Sequence, residues 1–144
     1  TVDWRSGEFS DWECKLGDEC FKVHRVILAL GNRRSEFFRA AFHKHFDGSS
    51  TDLAVVLPEP CHAYVEDVLD FMYGHDISIT HENLIFLMKI ADVLQVETLM
   101  ALAHAAIDEQ CPPKQSTWHH ALEVELPNDA LALIIHKMSR SDIN

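Results

Sequence analysis

The stretch DWECKLGDECFKVHRVILAL, residues 11–30, decides the fold of this chain. In its first half, every second side chain is apolar on both sides of Gly17–Asp18. These alternating residues are Trp12, Cys14, Leu16, Phe21 and Val23. A period of two around a Gly–Asp pair predicts a β-hairpin with one apolar face. From Arg25 the period changes, and VILAL before Gly31–Asn32 predicts a short helix ending in a left-handed turn.

Outward from this stretch, the sequence predicts a third strand. Ser35 is suited to cap a helix over EFFRAAF, and the polar loop HKHFDGSSTD follows it. The β-branched run LAVVL, Leu53–Leu57, is too short for a helix and predicts a strand. About two helices lie between Val23 and this strand, which is the crossover that parallel pairing requires. We therefore expect the strand to join the sheet of the hairpin.

Spacings of three and four residues predict the helices that follow. One apolar stripe runs from Val65 to Tyr73 and ends at Gly74, and Thr80 is suited to cap the next helix. Another helix runs up to Pro112–Pro113, where the double proline breaks it. This break is the one candidate boundary, dividing the chain into a domain over residues 1–111 and a helical hairpin over 112–144.

Composition limits the classes of partner. The 144 residues carry 12 Lys and Arg against 23 Asp and Glu, a formal net charge of −11. Nucleic acid and anionic membrane are disfavoured partners, because binding phosphates needs clustered cations. No segment approaches the roughly 20 apolar residues that cross a bilayer. The four Cys form no C-x-x-C pair, which indicates reduced thiols and a cytoplasmic or nuclear protein.

The order of these elements, together with the motifs at their ends, resembles the BTB/POZ domain family over residues 11 to about 111. The matching stretches are CFKVHRVILA, SEFFRAAF, LAVVLPE, VEDVLDFMYG and ITHENLIFLMKIADVLQVETLMALA. The resemblance implies an α/β fold, in which a small mixed sheet of three or more strands is capped by a helical cluster. The hairpin after Pro113 is similar to the start of the box or BACK extension that follows many such domains.

The family consists of protein–protein interaction domains, so the resemblance implies neither catalysis nor a cofactor. Two functions remain open. The first is a homo-oligomerising adaptor that links a client to a cullin-RING ubiquitin ligase, with the BTB-binding cullin as a partner. The second is a self-associating scaffold or transcription-regulator module without a cullin. The first ten residues lack the amphipathic helix that many members use to dimerise, so a homodimer is a partner to be tested.

The same resemblance implies where partners bind. In the cullin adaptors, the loop after the second core helix carries a hydrophobic–x–Glu motif. The nearest match here is Phe46–Asp47–Gly48, which follows His45 and lacks the Glu. In BTB transcription factors, residues matching Asp11 and Arg25 form a charged pocket for partners. The predicted partner-binding residues are His45, Phe46, Asp47, Tyr73, Asp11 and Arg25.

Residues with catalytic or metal-binding chemistry are present without a complete site. His24 beside Arg25 has apolar neighbours, so we expect its ring to bond backbone groups at a strand–helix junction rather than act as a base. Arg33 and Arg34 are expected to form a solvated corner. The pairs His43–His45 and His119–His120 lack the partners of a four-ligand zinc site. No phosphate-binding glycine motif occurs, and no metal or cofactor is predicted.

Overall fold

The predicted hairpin is present and supplies the edge strand and the central strand of a mixed sheet. The computed structural model describes residues 3–44, 50–109 and 115–143. Strands β1 (Trp12–Leu16) and β2 (Glu19–Val23) pair antiparallel, and Gly17 turns the chain between them at φ 62°. Strand β3 (Ser50–Asp52) pairs parallel with β1, giving the order β2-β1-β3. The α/β class and the parallel third strand are confirmed.

The position of the third strand was predicted wrongly. The polar residues Ser50–Asp52 pair with β1, whereas Leu53–Val56 forms the short helix α3. The Asp52 carboxylate accepts the backbone N–H of Ala54 at 3.0 Å and so caps this helix. Helical rotation then buries Leu53 and leaves Val55 80% exposed. A side-chain cap at Asp52 therefore outweighs the strand preference of the β-branched run.

Helix α1 (Arg25–Leu30) ends for a different reason from the one predicted. Gly31 has φ −70° and is not left-handed. A Cβ on Gly31 would lie 2.7 Å from the carbonyl oxygen of Ile27, closer than any side chain allows. Glycine is needed here because the chain passes close to the preceding helical turn.

Ser35 caps helix α2 (Glu36–Lys44) as predicted and also joins it to a distant element. Its buried hydroxyl accepts the backbone N–H of Phe38 at 3.1 Å. The same hydroxyl donates to the carbonyl of Leu94, 59 residues away. One side chain thus satisfies polar groups at two helix ends inside the core.

The remaining helices surround a continuous apolar core. After the 3-10 helix Glu59–Tyr64, they are α4 (Val65–Met72), α5 (Leu84–Leu94), α6 (Glu97–Glu109), α7 (Gln115–Glu123) and α8 (Asn128–Ile143). Gly74 follows α4 at φ 104°, as predicted. Thr80 was predicted to cap α5, but the helix begins later, with Asn83 as its N-cap residue, and Thr80 and Asn83 bond each other's backbone N–H. Helix α5 is buried on nearly every side. No helix in the described ranges is long and apolar enough to cross a membrane.

The C-terminal hairpin shares this core. Ala121 of α7, Val124 directly after it, and Ala130 and Ile134 of α8 belong to the same buried cluster as the sheet. Lys89 of α5 also donates to the carbonyl of Glu125 at 3.0 Å. The double proline itself lies outside the described residues, and the division of the chain at residue 111 stays a prediction.

Candidate interaction surface

Tyr73 and His24 form a hydrogen-bonded pair that joins α4 to the start of α1. The Tyr73 hydroxyl accepts the backbone N–H of His24 at 2.8 Å and lies 2.8 Å from its Nδ1. Nε2–H donates to the Glu8 carbonyl at 2.6 Å, because a carbonyl oxygen can only accept a hydrogen bond. These bonds tie the imidazole to backbone and side-chain groups of its own domain, as expected for His24. Burial raises the pKa of Tyr73 to about 12.

The hydrogen bonds to His24 hold the hydroxyl of Tyr73, one of the predicted partner-binding residues, inside the fold. Tyr73 is half-buried, and its ring edge packs on His24 with 5.8 Å between ring centroids. A partner can reach only the exposed remainder of the ring. The role of Tyr73 in binding stays a prediction.

Asp11 and Arg25 do form an ion pair. The Asp11 carboxylate accepts the backbone N–H of Arg25 at 2.8 Å and the guanidinium Nε–H at 3.2 Å. The first of these bonds satisfies a free N–H at the start of α1. The second lies at the surface, where an ion pair contributes little stability. The pair is accessible to a partner, and its recruitment role stays a prediction.

Arg33 does not lie in a solvated corner, contrary to the prediction. Its guanidinium donates to the carbonyls of Phe71 at 2.9 Å and His75 at 2.7 Å, and it stacks 4.2 Å from the Phe71 ring centroid. Arg33 thus satisfies carbonyls at the C-terminal end of α4. Arg34 meets the prediction better, because it is exposed and pairs with Glu36 at 3.1 Å.

The first ten residues are anchored by contacts that sequence reasoning missed. Trp4 is buried, packs edge-on against Phe21, and donates from Nε1 to the Asp70 carboxylate at 2.9 Å. Arg5 stacks over the Trp4 ring at 4.3 Å and pairs with the same carboxylate. The only signal in the sequence was a tryptophan in a segment of mostly polar residues.

The stability that Asp70 contributes is expected to depend on pH. Burial acts to raise the pKa of Asp70, but hydrogen bonds from Arg5 and Trp4 outweigh it, and the net pKa is lowered below 3.8. A carboxyl group whose pKa is lowered by folding stabilises the fold at pH values above its ordinary pKa. This contribution is lost as the pH falls through the pKa that the group has in the folded state. The free energies of unfolding of wild type and Asp70→Asn, measured in urea, should therefore differ most near neutral pH. The difference should begin to shrink below about pH 4 and vanish only below the lowered pKa of folded Asp70. A difference that grows on acidification would contradict this.

The segment with His45, Phe46 and Asp47 lies outside the described residues, but the residues on either side of it are described. Its flanking residues, Lys44 and Ser50, both line a groove of about 570 Å³ between α2 and α3. The apolar residues that define this α2–α3 groove are Phe37, Ala40, Ala41, Val55 and Val56. The predicted cullin-contact loop thus joins the two walls of an apolar groove.

A second apolar groove lies beside helix α1. Val26 and Leu30 stand one turn apart on this helix and are 62% and 64% exposed. A groove of about 350 Å³ runs from them to α2. Its apolar lining, which defines the α1–α2 groove, is Val26, Ala29, Leu30 and Phe42, and its rim carries Asp11, Arg25, Arg39 and His43. Exposed aliphatic side chains beside a groove are typical of protein-binding surfaces.

The cysteines and histidines do not assemble a recognisable metal site within the described ranges. No group of three or more His, Cys, Asp or Glu is placed there to hold an ion. Cys14 and Cys61 are buried, which raises their pKa to about 12 and about 11, while Cys20 is an exposed free thiol. Buried protonated thiols behave as small apolar side chains.

The family follows from comparison with known proteins. The sequence model described as "BTB/POZ domain" matches residues 3–110. The chain belongs to the BTB/POZ family. The BTB domain of zebrafish PATZ1 is similar in structure, with a TM-score of 0.59, 25% identity, and coverage of 74% of this chain and 81% of that one. The family and fold inferred from the motifs are confirmed, and BTB domains act as protein-interaction modules.

Longer proteins carry similar BTB domains. Kelch repeat and BTB domain-containing protein 1 of cowpox virus (strain GRI-90 / Grishak) is 33% identical over 91 residues, which is 63% of this chain and 15% of that protein. Kelch-like protein 41b of Danio rerio is 28% identical over 97 residues, 66% of this chain and 15% of that protein. The chain therefore spans about 15% of these relatives.

Proposed function

We propose that this BTB domain is a non-catalytic adaptor that links a client protein to a cullin-RING ubiquitin ligase. The observation that carries the proposal is the α2–α3 groove, because its walls end at Lys44 and Ser50. These residues flank the loop in which cullin adaptors of this family carry their hydrophobic contact. In this sequence Phe46 would supply the hydrophobic contact, although Asp47–Gly48 departs from the motif by lacking its Glu.

Two further features support the adaptor. The cowpox virus relative carries kelch repeats as well as a BTB domain, and a repeat region of that kind would recruit the client. The helical pair α7 and α8 packs on the domain core, where a box or BACK extension would enlarge a cullin interface. The proposal assigns the protein to the cytoplasm or the nucleus.

Binding to the N-terminal domain of the BTB-binding cullin tests this proposal. We expect measurable affinity, and loss of about tenfold or more with Phe46→Ala or Val55→Glu, because each change removes apolar contact at the α2–α3 groove. Leu102→Ala is a matched control, since Leu102 is an exposed apolar residue on α6, away from the α2–α3 groove and from α7 and α8. Absence of wild-type binding at tens of micromolar would reject the cullin role.

A second candidate is a self-associating scaffold or transcription-regulator module without a cullin. It is favoured by α1, whose Val26 and Leu30 present apolar surface to solvent beside the Asp11–Arg25 pair. An isologous pair of such helices would cover these side chains on both copies.

Sedimentation equilibrium tests self-association. We expect a dimer that Val26→Glu dissociates, because the change places two unpaired charges in the contact. The thermal midpoint of the monomer should change little, since Val26 is 62% exposed. A wild-type chain that stays monomeric at about 100 μM, a concentration at which even weak pairs of μM affinity are filled, would exclude this function.

A further inference from the structure

Trp12 is a buried residue that contacts both sides of the α2–α3 groove. It is 3% exposed and belongs to β1, the central strand of the sheet. Its Nε1–H donates to the hydroxyl oxygen of Thr51 on β3 at 2.9 Å. Its ring packs edge-on against Phe42 of α2, with 4.7 Å between the centroids. One side chain on the central strand therefore joins β3 to α2.

On the β3 side, the bond to Trp12 leads directly into one wall of the groove. Thr51 lines the α2–α3 groove, and its partner across the parallel pair is Cys14 of β1. Because Trp12 and Cys14 alternate along β1, their side chains share a face, and the indole lies diagonal to Thr51. The next residue, Asp52, caps α3, which presents Val55 to the groove. The bond at Thr51 thus holds the strand end from which this wall begins.

On the α2 side, Trp12 reaches the other wall through a row of phenylalanines. Phe42 stacks on the fully buried Phe38 with centroids 5.7 Å apart. Phe38 in turn meets Phe37 edge-on at 5.4 Å, and Phe37 lines the α2–α3 groove. Since protein interiors are close-packed and compress little, a shift of the indole against Phe42 displaces the whole helix.

We propose that Trp12 is a positioning residue of the α2–α3 groove, which holds β3 and α2 at the separation that a bound partner requires. The proposal rests on the proposed cullin role, because it concerns the shape of the same binding site. At 3% exposure Trp12 does not contact a partner, so it acts through Thr51 and Phe42. A hydrogen bond weakens steeply with distance and misalignment, so it restricts the spacing of the walls more closely than apolar packing would.

A tryptophan that merely filled the core would behave differently. Loss of its N–H bond would lower the stability of the domain without moving the walls of the groove. Trp4 supplies the comparison within the same chain, because its Nε1–H also donates to a side chain at 2.9 Å. Its acceptor is Asp70 of α4, which does not line the α2–α3 groove. Trp4→Phe is therefore a matched control for Trp12→Phe.

Distances between spin labels measure the spacing of the walls without any partner. One label is attached at Arg39→Cys, an exposed position of α2 outside the groove lining, and the other at Val55→Cys on α3. Cys20 and Cys111 are replaced by Ser in this protein, and the buried thiols are expected to stay unlabelled. Pulsed electron paramagnetic resonance then gives the distance between the two labels.

Trp12→Phe and Thr51→Val each remove one end of the hydrogen bond, and we expect a longer mean distance with a broader distribution in both. Thr51→Val keeps the indole in the core, so it tests the bond even where Trp12→Phe fails to fold. Trp4→Phe should keep the wild-type distance. The same distance in wild type and Thr51→Val, or an equal change in Trp4→Phe, would overturn the proposal.

Binding to the N-terminal domain of the BTB-binding cullin measures the consequence for a partner. Trp12→Phe and Thr51→Val should each raise the dissociation constant by about fivefold, the value of about one hydrogen bond. The double variant should lose no more than Trp12→Phe alone, because both changes remove the same bond. Trp4→Phe should bind as wild type does. Losses that add in the double variant would contradict the shared bond.

The two measurements separate this proposal from the cullin role. A wild-type chain that does not bind the cullin rejects the proposed function, while the spin-label distances still show if Trp12 sets the spacing of the walls. A wild-type chain that binds, with unchanged affinity and unchanged distance in Thr51→Val, supports the cullin role and rejects the positioning role of Trp12.

Discussion

Trp4→Ala is expected to destabilise the domain by about 3–5 kcal/mol, the range for removing a large buried aromatic side chain. The indole is buried against Phe21 of β2, and its Nε1–H donates to Asp70 of α4. Its removal leaves a cavity, takes a donor from a partly buried carboxylate, and removes the ring over which Arg5 stacks. Urea unfolding followed by far-UV circular dichroism measures the change.

Two variants separate the causes of this loss. Trp4→Phe keeps an aromatic ring beside Phe21 but lacks the N–H donor, and we expect it to cost about 1.5–3 kcal/mol, the value of a hydrogen bond to a charged group. Phe9→Ala changes an exposed residue of the same segment and should leave stability within about 0.5 kcal/mol. A cost below 1 kcal/mol for Trp4→Ala would mean that the N-terminal segment is not anchored as described.

Tyr73→Phe is expected to cost about 2–4 kcal/mol, because it removes one oxygen that satisfies two groups of His24. The backbone N–H of His24 and its Nδ1 each lose their partner in a half-buried position, and an unsatisfied buried group costs about 1–3 kcal/mol. The phenyl ring that remains preserves the packing. Equilibrium unfolding in urea gives the change in free energy.

Tyr64→Phe is the matched control for this variant. Tyr64 stacks on Phe86 at 5.4 Å, and its hydroxyl makes no hydrogen bond to the residues that the structure describes. Its loss should cost less than about 0.5 kcal/mol. A second measurement uses the raised pKa of Tyr73, about 12. Because the unfolded chain deprotonates first, wild-type stability should fall between about pH 10 and 12, and Tyr73→Phe should lose less over that window. Equal costs for the two variants would contradict the network.

Local sequence patterns were sufficient to predict those elements that are stabilised by residues close to each other along the chain. The alternation around Gly17, the Ser35 cap and the helical stripe ending at Gly74 were all predicted, because each depends on residues within one turn or one strand pair. The error at Leu53–Val56 was also local in origin, since the β-branched run and the Asp52 cap favour different structures. The pairing of β3 with β1 at Ser50–Asp52 was needed to show that the strand ends before Leu53 and the helix begins there.

The candidate surface was predicted less completely. The motifs correctly placed Asp11 against Arg25 and indicated a frame role for His24. They did not indicate that Arg33 would cap α4 or that Trp4 would reach Asp70, because those partners lie 38 and 66 residues away. Nor did they reveal the α1–α2 and α2–α3 grooves, whose walls come from separate elements.

The sequence by itself therefore determined the family, the hairpin, most of the helices and the strongly acidic net charge. These properties depend on short-range periodicity, capping and net charge, which can be read without coordinates. Tertiary structure decided which side chains remain exposed. Phe9 and Trp4 lie five residues apart in one polar segment, yet the first faces solvent and the second is buried. The reason is that burial depends on surfaces brought together from distant parts of the chain, here β2 and α4 around Trp4.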